Sequence, residues 1–292
     1  MSKPYWIVAD VSCDLPLYYI EKQERFRVMP MPYQKDGEEF IYKPGDEKDI
    51  AAYYDSIKRG ALYTTTQINA AEYYSCFKEI TDKGDGLIAL PLSSGISGSV
   101  NSALMARERI LKENPEAEVF VIDSKCASLG TGILLHHLLL KRESGADIQE
   151  VANNARETIP KVLHWFTVSD LKHLYRGGRV TRSSAFLGSM LRIKPILHVN
   201  DEGRLIPFDK VQGRKKSIRE LANKIEENIY PKSNQPIFIS HFGCEEDALL
   251  LKSYLQKSLP SITEYLIAPQ SRIIGAHSGP DCIAVFCLGL KR

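Results

Sequence analysis

A hydroxyl-rich loop over residues 93–99 contains the first candidate functional residues of this chain. It reads SSGISGS and lies between the apolar run GLIALPL, residues 86–92, and an amphipathic stretch over 100–114. This order predicts a buried strand, a tight turn and a helix start. The first amides of a helix lack carbonyl partners and lie at the positive end of its dipole, so they bind phosphate or carboxylate. We expect Ser97 to be the N-cap and the loop to bind an anion; the alternative is that the serines only cap the helix.

Three better-known chemistries require residues that this loop lacks. No Gly-Lys-Ser/Thr closes a nucleotide P-loop, and no G-x-G-x-x-G pattern indicates a dinucleotide site. The stretch 95–99, GISGS, ends in serine where the G-x-S-x-G nucleophile elbow has glycine. Anion binding is therefore our first interpretation, and a serine hydrolase or acyltransferase using Ser97 with His277 is the alternative.

A threonine triplet forms the second candidate anion site. Thr64, Thr65 and Thr66 stand in one predicted turn, and Asn69 and Glu72 follow with the spacing of a capping box. Threonine hydroxyls suit a carboxylate but activate nothing without a base. Such triplets are also common in ordinary turns, so the triplet alone leaves both interpretations open.

His277 is the third candidate. It lies in IGAHSGP, residues 274–280, which we predict to be a loop between strands. An imidazole in a loop can donate to an anion or act as a base, although most loop histidines do neither. The other histidines and the six cysteines show neither metal-ligand spacing nor a disulfide framework. We expect no metal and no cofactor.

Positive charge is concentrated in one segment. Residues 171–219 contain twelve Lys or Arg against three Asp or Glu, in a chain of net charge +2. Such a segment predicts an anionic ligand or partner, or a solvated surface. A protein partner is favoured over nucleic acid, because the segment has no nucleic-acid motif and Tyr175 is the aromatic residue that stands next to its basic cluster 176–182.

The alternation of strand and helix patterns predicts an α/β protein with two domains. The chain has 292 residues, about twice the usual domain size. We predict an N-terminal α/β domain over 1–161 with a largely parallel sheet, and a C-terminal α/β domain over 162–292 with a mixed sheet. Residues 217–220 have the pattern of a capping box that opens a helix. The start of the chain lacks a secretory signal pattern and no run reaches membrane-spanning length, so the expected location is the cytoplasm.

Nine blocks, in one order, resemble the DegV family, whose better-understood members are the fatty acid-binding subunits of bacterial fatty acid kinase. The blocks are IVADVSCDLP, TTTQ, PLSSGISGSVNSA, VIDSKCASLGTG, LYRGGRV, LGSMLRIKPILHV, GRKKSI, HFGCEEDA and IIGAHSGP. The resemblance implies two α/β domains that enclose one long-chain fatty acid, with the carboxylate held near the domain junction. It also implies a binding subunit rather than an enzyme.

The resemblance assigns the candidate residues to roles. Thr65, Ser97 and His277 would hold the fatty acid carboxylate, and Thr66 and Ser94 would assist. The tail would lie in an apolar tunnel, for which the candidates are Phe186, Leu187, Met190 and Leu191; ordinary core packing is the alternative for each.

The same resemblance implies a partner. Arg176, Arg179 and Arg214 would dock a separate ATP-binding kinase subunit and neutralise the incoming phosphate. The resulting acyl phosphate would pass to an acyltransferase of phospholipid synthesis, with transient membrane contact compatible with that route. One departure concerns acyl selectivity: Ile68 and Asn69 stand where the family often has Pro-Ser.

Overall fold

Three β-sheets organise the computed structural model, which describes residues 3–181, 192–230 and 235–292. In these ranges the strands are β1 (Tyr5–Asp10), β2 (Phe26–Met29), β3 (Met31–Lys35), β4 (Glu38–Tyr42), β5 (Tyr63–Thr65), β6 (Gly86–Leu90), β7 (Val119–Val121), β8 (Val162–Thr167), β9 (Ile193–Val199), β10 (Leu205–Gln212), β11 (Ile237–His241), β12 (Tyr265–Pro269) and β13 (Ile283–Leu288). The α-helices are α1 (Leu17–Ile20), α2 (Ile50–Lys58), α3 (Ala70–Thr81), α4 (Ser99–Glu113), α5 (Leu129–Glu143), α6 (Ile148–Thr158), α7 (Lys172–Arg176), α8 (Arg214–Asn228), α9 (Glu245–Ser258) and α10 (Arg272–Ser278).

The first sheet is parallel, with strand order β2-β1-β6-β7. Its central strand β6 has the sequence GLIAL and is buried at every position, as expected for a parallel strand covered on both faces. Helix α3 begins with the predicted capping box, in which Asn69 accepts from the Glu72 amide and the Glu72 carboxylate accepts from the Asn69 amide. The carboxyl ends of these strands lead into the serine loop and its neighbours, where ligands of α/β sheets bind.

The second sheet is small and antiparallel, in the order β4-β3-β5, and the sequence patterns did not predict it. Its strands have three to five residues, too few for a clear alternation. The threonine triplet therefore begins in a strand rather than a turn, with Thr65 paired to Tyr33 across the ladder.

The third sheet is mixed, in the order β10-β9-β8-β13-β11-β12. Only β11 and β12 run parallel; the other neighbours are antiparallel. Helices α8 and α9 cover its outer face, whereas α5, from the N-terminal part of the chain, packs on its inner face. The predicted α/β class, with one parallel and one mixed sheet, is confirmed. The domain boundary at residue 161 stays a prediction, because α5 joins both parts in one hydrophobic core.

Two local predictions are wrong. Helix α8 begins at Arg214, directly after the turn at Gly213, so Ser217 lies inside its first turn and donates to the Arg214 carbonyl instead of capping. His277 lies on the last turn of helix α10 rather than in a loop. Ser271 caps this helix, which at seven residues is too short to leave a helical period in the sequence.

Candidate functional site

A cavity of about 390 Å³ lies between the inner face of the third sheet and the loops of the N-terminal part. Most of its wall is apolar, and both parts of the chain contribute to it. The apolar side chains that line it are Met31, Leu92, Ile96, Ala127, Phe166, Leu174, Val199, Leu205, Ile273, Ile274, Ala284 and Phe286. The predicted tail residues Phe186, Leu187, Met190 and Leu191 lie outside the described residues.

The three predicted head-group residues all line this cavity. Thr65 comes from β5, Ser97 from the serine loop and His277 from α10. Oγ1 of Thr65 and Nε2 of His277 are 2.7 Å apart, although the residues are 212 positions apart in the chain. Thr66 lines the cavity as well. The fold thus brings a hydroxyl-rich strand end, a hydroxyl-rich loop and an imidazole to one cavity.

His277 is neutral at physiological pH. Burial, and then the positive charges of Arg179 and Arg176, lower the pKa of His277 to about 3. Its Nδ1 is buried and has no hydrogen-bond partner among the described residues. A Cβ added at Gly177 would lie 2.3 Å from that nitrogen, so the close approach of the LYRGGRV segment to His277 requires glycine there. A neutral imidazole has one N–H group and can donate one hydrogen bond.

Ser97 lies one position before the cap of α4. The N-cap is Gly98, which has no side chain, so the expectation that Ser97 is the N-cap is wrong by one residue. The Ser97 hydroxyl instead accepts from the Ser99 amide at 3.2 Å and lies 3.0 Å from the Ser99 hydroxyl. It therefore has a hydrogen-bond partner other than His277. Among the described residues, Ser97 and His277 make no hydrogen bond to each other. A serine hydrolase needs such a bond between its nucleophile and its base.

Gln67 links the threonine segment to the serine-loop helix, a role that the sequence did not predict. Its Nε2 donates to the Ser102 hydroxyl at 2.9 Å. A Cβ added at Gly98 would lie 2.0 Å from Oε1 of Gln67, so the two segments approach closely. The adjacent Ile68, at the position where the family often has proline, is buried. The sequence signals for Gln67 were its place beside the threonines and in the block TTTQ.

Ser94 is directed elsewhere. Its hydroxyl and its amide both donate to the Asp123 carboxylate, the amide at 3.1 Å. Ser94 is exposed and is not among the residues that line the cavity. The neighbouring Ser93 donates to the carbonyl of Gly203 at 2.9 Å, which attaches the serine loop to the β9–β10 hairpin. The structure thus separates Ser94 from the other four predicted head-group residues.

The three predicted phosphate-facing arginines occupy different environments. Arg179 lines the cavity and donates from Nε to the Ile96 carbonyl at 3.1 Å. Arg176 is exposed on α7, which packs against α10. Arg214 forms an ion pair of 2.7 Å with Asp247 and is not among the cavity-lining residues. Two of the three cations therefore lie close enough to influence His277.

The remaining groups give no indication of a metal site or membrane span. The described residues include no cluster of three or more His, Cys, Asp or Glu side chains that could hold a metal ion. The six cysteines are free thiols. Within the described ranges, no helix has both the length and the apolar composition needed to cross a membrane.

Comparison with known proteins agrees with the fold and the block pattern. A family model described as uncharacterised proteins of the DegV family matches residues 5–289. A DegV domain-containing protein of Clostridium perfringens is 35% identical over 287 residues, with 98% of each chain covered. A fatty acid-binding DegV family protein of Streptococcus agalactiae is 27% identical, with a TM-score of 0.86 and 99% of each chain covered.

A third comparison concerns the fold alone. The B3 protein of Streptococcus pneumoniae fatty acid kinase, solved loaded with linoleic acid, has a TM-score of 0.84. The superposition covers 98% of this chain and 99% of the S. pneumoniae chain, and the two sequences are 19% identical.

Proposed function

The chain belongs to the DegV family, and from this premise we propose that it binds a long-chain fatty acid and presents the carboxylate to a separate ATP-dependent kinase subunit. The observation that carries the proposal is the cavity itself. A largely apolar space of about 390 Å³ has Thr65, Ser97 and His277 in its lining. The S. agalactiae protein, which shares the fold over the full length of both chains, is a fatty acid-binding protein.

The head group is recognised by neutral donors. The hydroxyls of Thr65, Thr66 and Ser97 each have one proton to donate to a carboxylate. Nε2 of the neutral His277 lies 2.7 Å from Oγ1 of Thr65, so its N–H donates to that oxygen and leaves the Thr65 proton for the carboxylate. Arg179, in the wall beside the Ile96 carbonyl, supplies the compensating positive charge. Ser94 is left out of this set, because its hydroxyl is bonded to Asp123.

The tail supplies most of the affinity. About fifteen methylenes at ~0.8 kcal/mol each contribute up to roughly 12 kcal/mol before ordering costs. One charge-assisted hydrogen bond contributes about 1.5–3 kcal/mol. The apolar lining residues therefore provide most of the affinity, and the polar lining residues determine the orientation of the bound acid.

The second part of the proposal is presentation of the carboxylate to the kinase subunit. The sequence has no recognised ATP-binding motif, and the proposal therefore assigns the phosphoryl donor to another protein. A carboxylate oxygen would attack the γ-phosphorus of ATP while the bond from that phosphorus to the β-phosphate oxygen breaks. ADP would stay with the kinase subunit, and the acyl phosphate would leave with this chain for an acyltransferase of phospholipid synthesis. Such transfer depends on positioning and charge neutralisation, which Arg176 and Arg179 would provide. Arg214 is the third proposed docking residue; because Asp247 already pairs with it, we expect its contribution to be smaller.

The ligand is tested by comparing native and denaturing mass spectra of the purified protein. We expect the native mass to exceed the denatured mass by that of one long-chain fatty acid. Thr65→Val removes one hydroxyl and is expected to weaken binding of an added fatty acid by about tenfold. Ser94→Ala is the matched control, and its affinity should equal that of the wild type.

The alternative chemistry gives a different result. A serine hydrolase would turn over an activated ester, and Ser97→Ala would abolish that turnover. Esterase turnover that depends on Ser97, together with the absence of any bound acid, would overturn the proposal.

A further inference from the structure

Helix α10, which carries His277 in its last turn, contacts the threonine strand at a second point. Arg272, the first residue of α10, donates from Nη1 to the Tyr33 hydroxyl at 2.6 Å. Tyr33 is the cross-strand partner of Thr65, whose hydroxyl contacts His277. Directly paired residues of neighbouring strands project from the same face of a sheet. Both ends of α10 are therefore attached to one pair of positions in the β3–β5 ladder.

The guanidinium of Arg272 lies among three tyrosines. Its Cζ is 5.7 Å from the ring centroids of Tyr33, Tyr42 and Tyr53. Nε is buried and has no hydrogen-bond partner among the described residues, so the ring faces provide the compensating interaction for part of the charge. The Tyr53 hydroxyl also donates to the Arg272 carbonyl at 2.8 Å. This set of contacts holds the start of α10 against β3, β4 and α2.

A helix as short as α10 depends on such contacts for its position. Seven residues are too few to form a stable helix in isolation. Besides the Arg272 contacts, the start of the helix is held by the Ser271 amide, which donates to the buried Asp14 carboxylate at 2.9 Å. Loss of the Arg272 side chain would leave the helix start held through its backbone by Asp14 and Tyr53, and its end held by Thr65, with less control of rotation about the helix axis.

We propose that Arg272 is a positioning residue for carboxylate recognition. It fixes α10 on the Tyr33–Thr65 pair so that the imidazole of His277 and the hydroxyl of Thr65 meet at the distance observed. Arg272 is not among the cavity-lining residues, so it acts through α10 rather than by touching the ligand. The inference rests on the proposed fatty acid binding.

The test compares an acid with a matched neutral ligand. Dissociation constants are measured for a long-chain fatty acid and for the primary alcohol of the same chain length, in the wild type, Arg272→Met and Tyr33→Phe. We expect Arg272→Met to weaken acid binding by about tenfold and alcohol binding by less than about threefold, because only the head-group contacts change. Tyr33→Phe keeps the ring and should show a smaller shift in the same direction.

Arg219→Met is the matched control. Arg219 lies with its Cζ 3.5 Å from the ring centroid of Tyr254, a similar contact on helices of the outer face of the third sheet. Its acid-to-alcohol ratio should equal that of the wild type. The ¹⁵N chemical shift of His277 Nε2, which reports the contact with Thr65, should change in Arg272→Met and stay constant in Arg219→Met.

The possible outcomes separate the two proposals. If the ratio of the two dissociation constants is the same in Arg272→Met as in the wild type, the positioning role is overturned and fatty acid binding is left intact. This includes the case in which binding of both ligands weakens equally. Wild-type protein that binds neither ligand overturns the proposed function itself. If thermal unfolding shows that Arg272→Met does not fold, the ratio in Tyr33→Phe decides: a shift toward the alcohol supports the role, and no shift overturns it.

Discussion

The two faces of the third sheet contain similar side chains but are filled differently. On the outer face, Leu163, Trp165 and Val285 belong to a closed core with α8 and α9. On the inner face, Phe166 and Phe286 line the cavity. Residue type therefore does not decide where the cavity lies. The position of the cavity depends on the layer that packs against each face of the sheet. The long helices α8 and α9 pack side by side on the outer face, whereas α5 and several loop ends pack against the inner face.

This difference has a functional consequence. A closed core converts apolar area into stability, whereas an unfilled apolar wall remains available to a ligand. Substitutions on the two faces should accordingly separate stability from binding. The following predictions test that separation, from the largest expected effect to the smallest.

Ala284→Phe is expected to abolish fatty acid binding. Ala284 lines the cavity, so a phenyl group there occupies space that the tail requires. Because the tail accounts for most of the affinity, we expect the dissociation constant to rise by more than about a hundredfold. Titration with a fluorescent fatty acid measures the effect. Its control is Val285→Phe, the next residue on β13 but on the outer face: it should lose about 1–3 kcal/mol of stability to overpacking and keep its affinity. Equal affinities in the two variants would contradict the comparison.

Leu221→Ala is expected to reduce the free energy of unfolding by about 2–5 kcal/mol. Leu221 is fully buried in the core that α8 forms with the outer face, so its truncation creates a cavity there. Denaturant unfolding measures the change, and fatty acid affinity of the folded protein should stay at the wild-type value. A variant with wild-type stability would show that the outer core is not closed.

The smallest effect, taken per pH unit, concerns the dependence of stability on pH. Burial and the charges of Arg179 and Arg176 lower the pKa of His277 to about 3, from an ordinary value of 6.5. Between these values the unfolded chain binds a proton that the native protein does not, so this residue makes stability fall as pH decreases from about 6.5 toward 3. The slope from one group is at most about 1.4 kcal/mol per pH unit.

Melting temperatures measured across this range for the wild type and His277→Gln test the effect. The variant should lose stability less steeply than the wild type as pH falls. Parallel declines in the two proteins would exclude His277 as a source of the pH dependence.

Much of the fold could be predicted from local patterns. The buried strand GLIAL, the capping box at Asn69 and the helix after the serine loop all follow from residues within one or two turns of each other. The candidate polar groups were also visible, because hydroxyl-rich turns and an imidazole between glycines are local features. The short second sheet and the seven-residue α10 were missed, since elements of that length show no reliable period.

The sequence by itself determined which residues have the chemistry to bind an acid and, through the ordered blocks, the family to which the chain belongs. Only the tertiary structure decided which of them meet. It pairs Thr65 with His277 across 212 residues, directs Ser94 to Asp123, and attaches α10 to Tyr33 through Arg272. Capping and burial patterns depend on neighbours within a few residues, so they can be predicted from a short segment of sequence. Contacts between distant segments depend on how sheets and helices pack, and the same local pattern is compatible with many such arrangements.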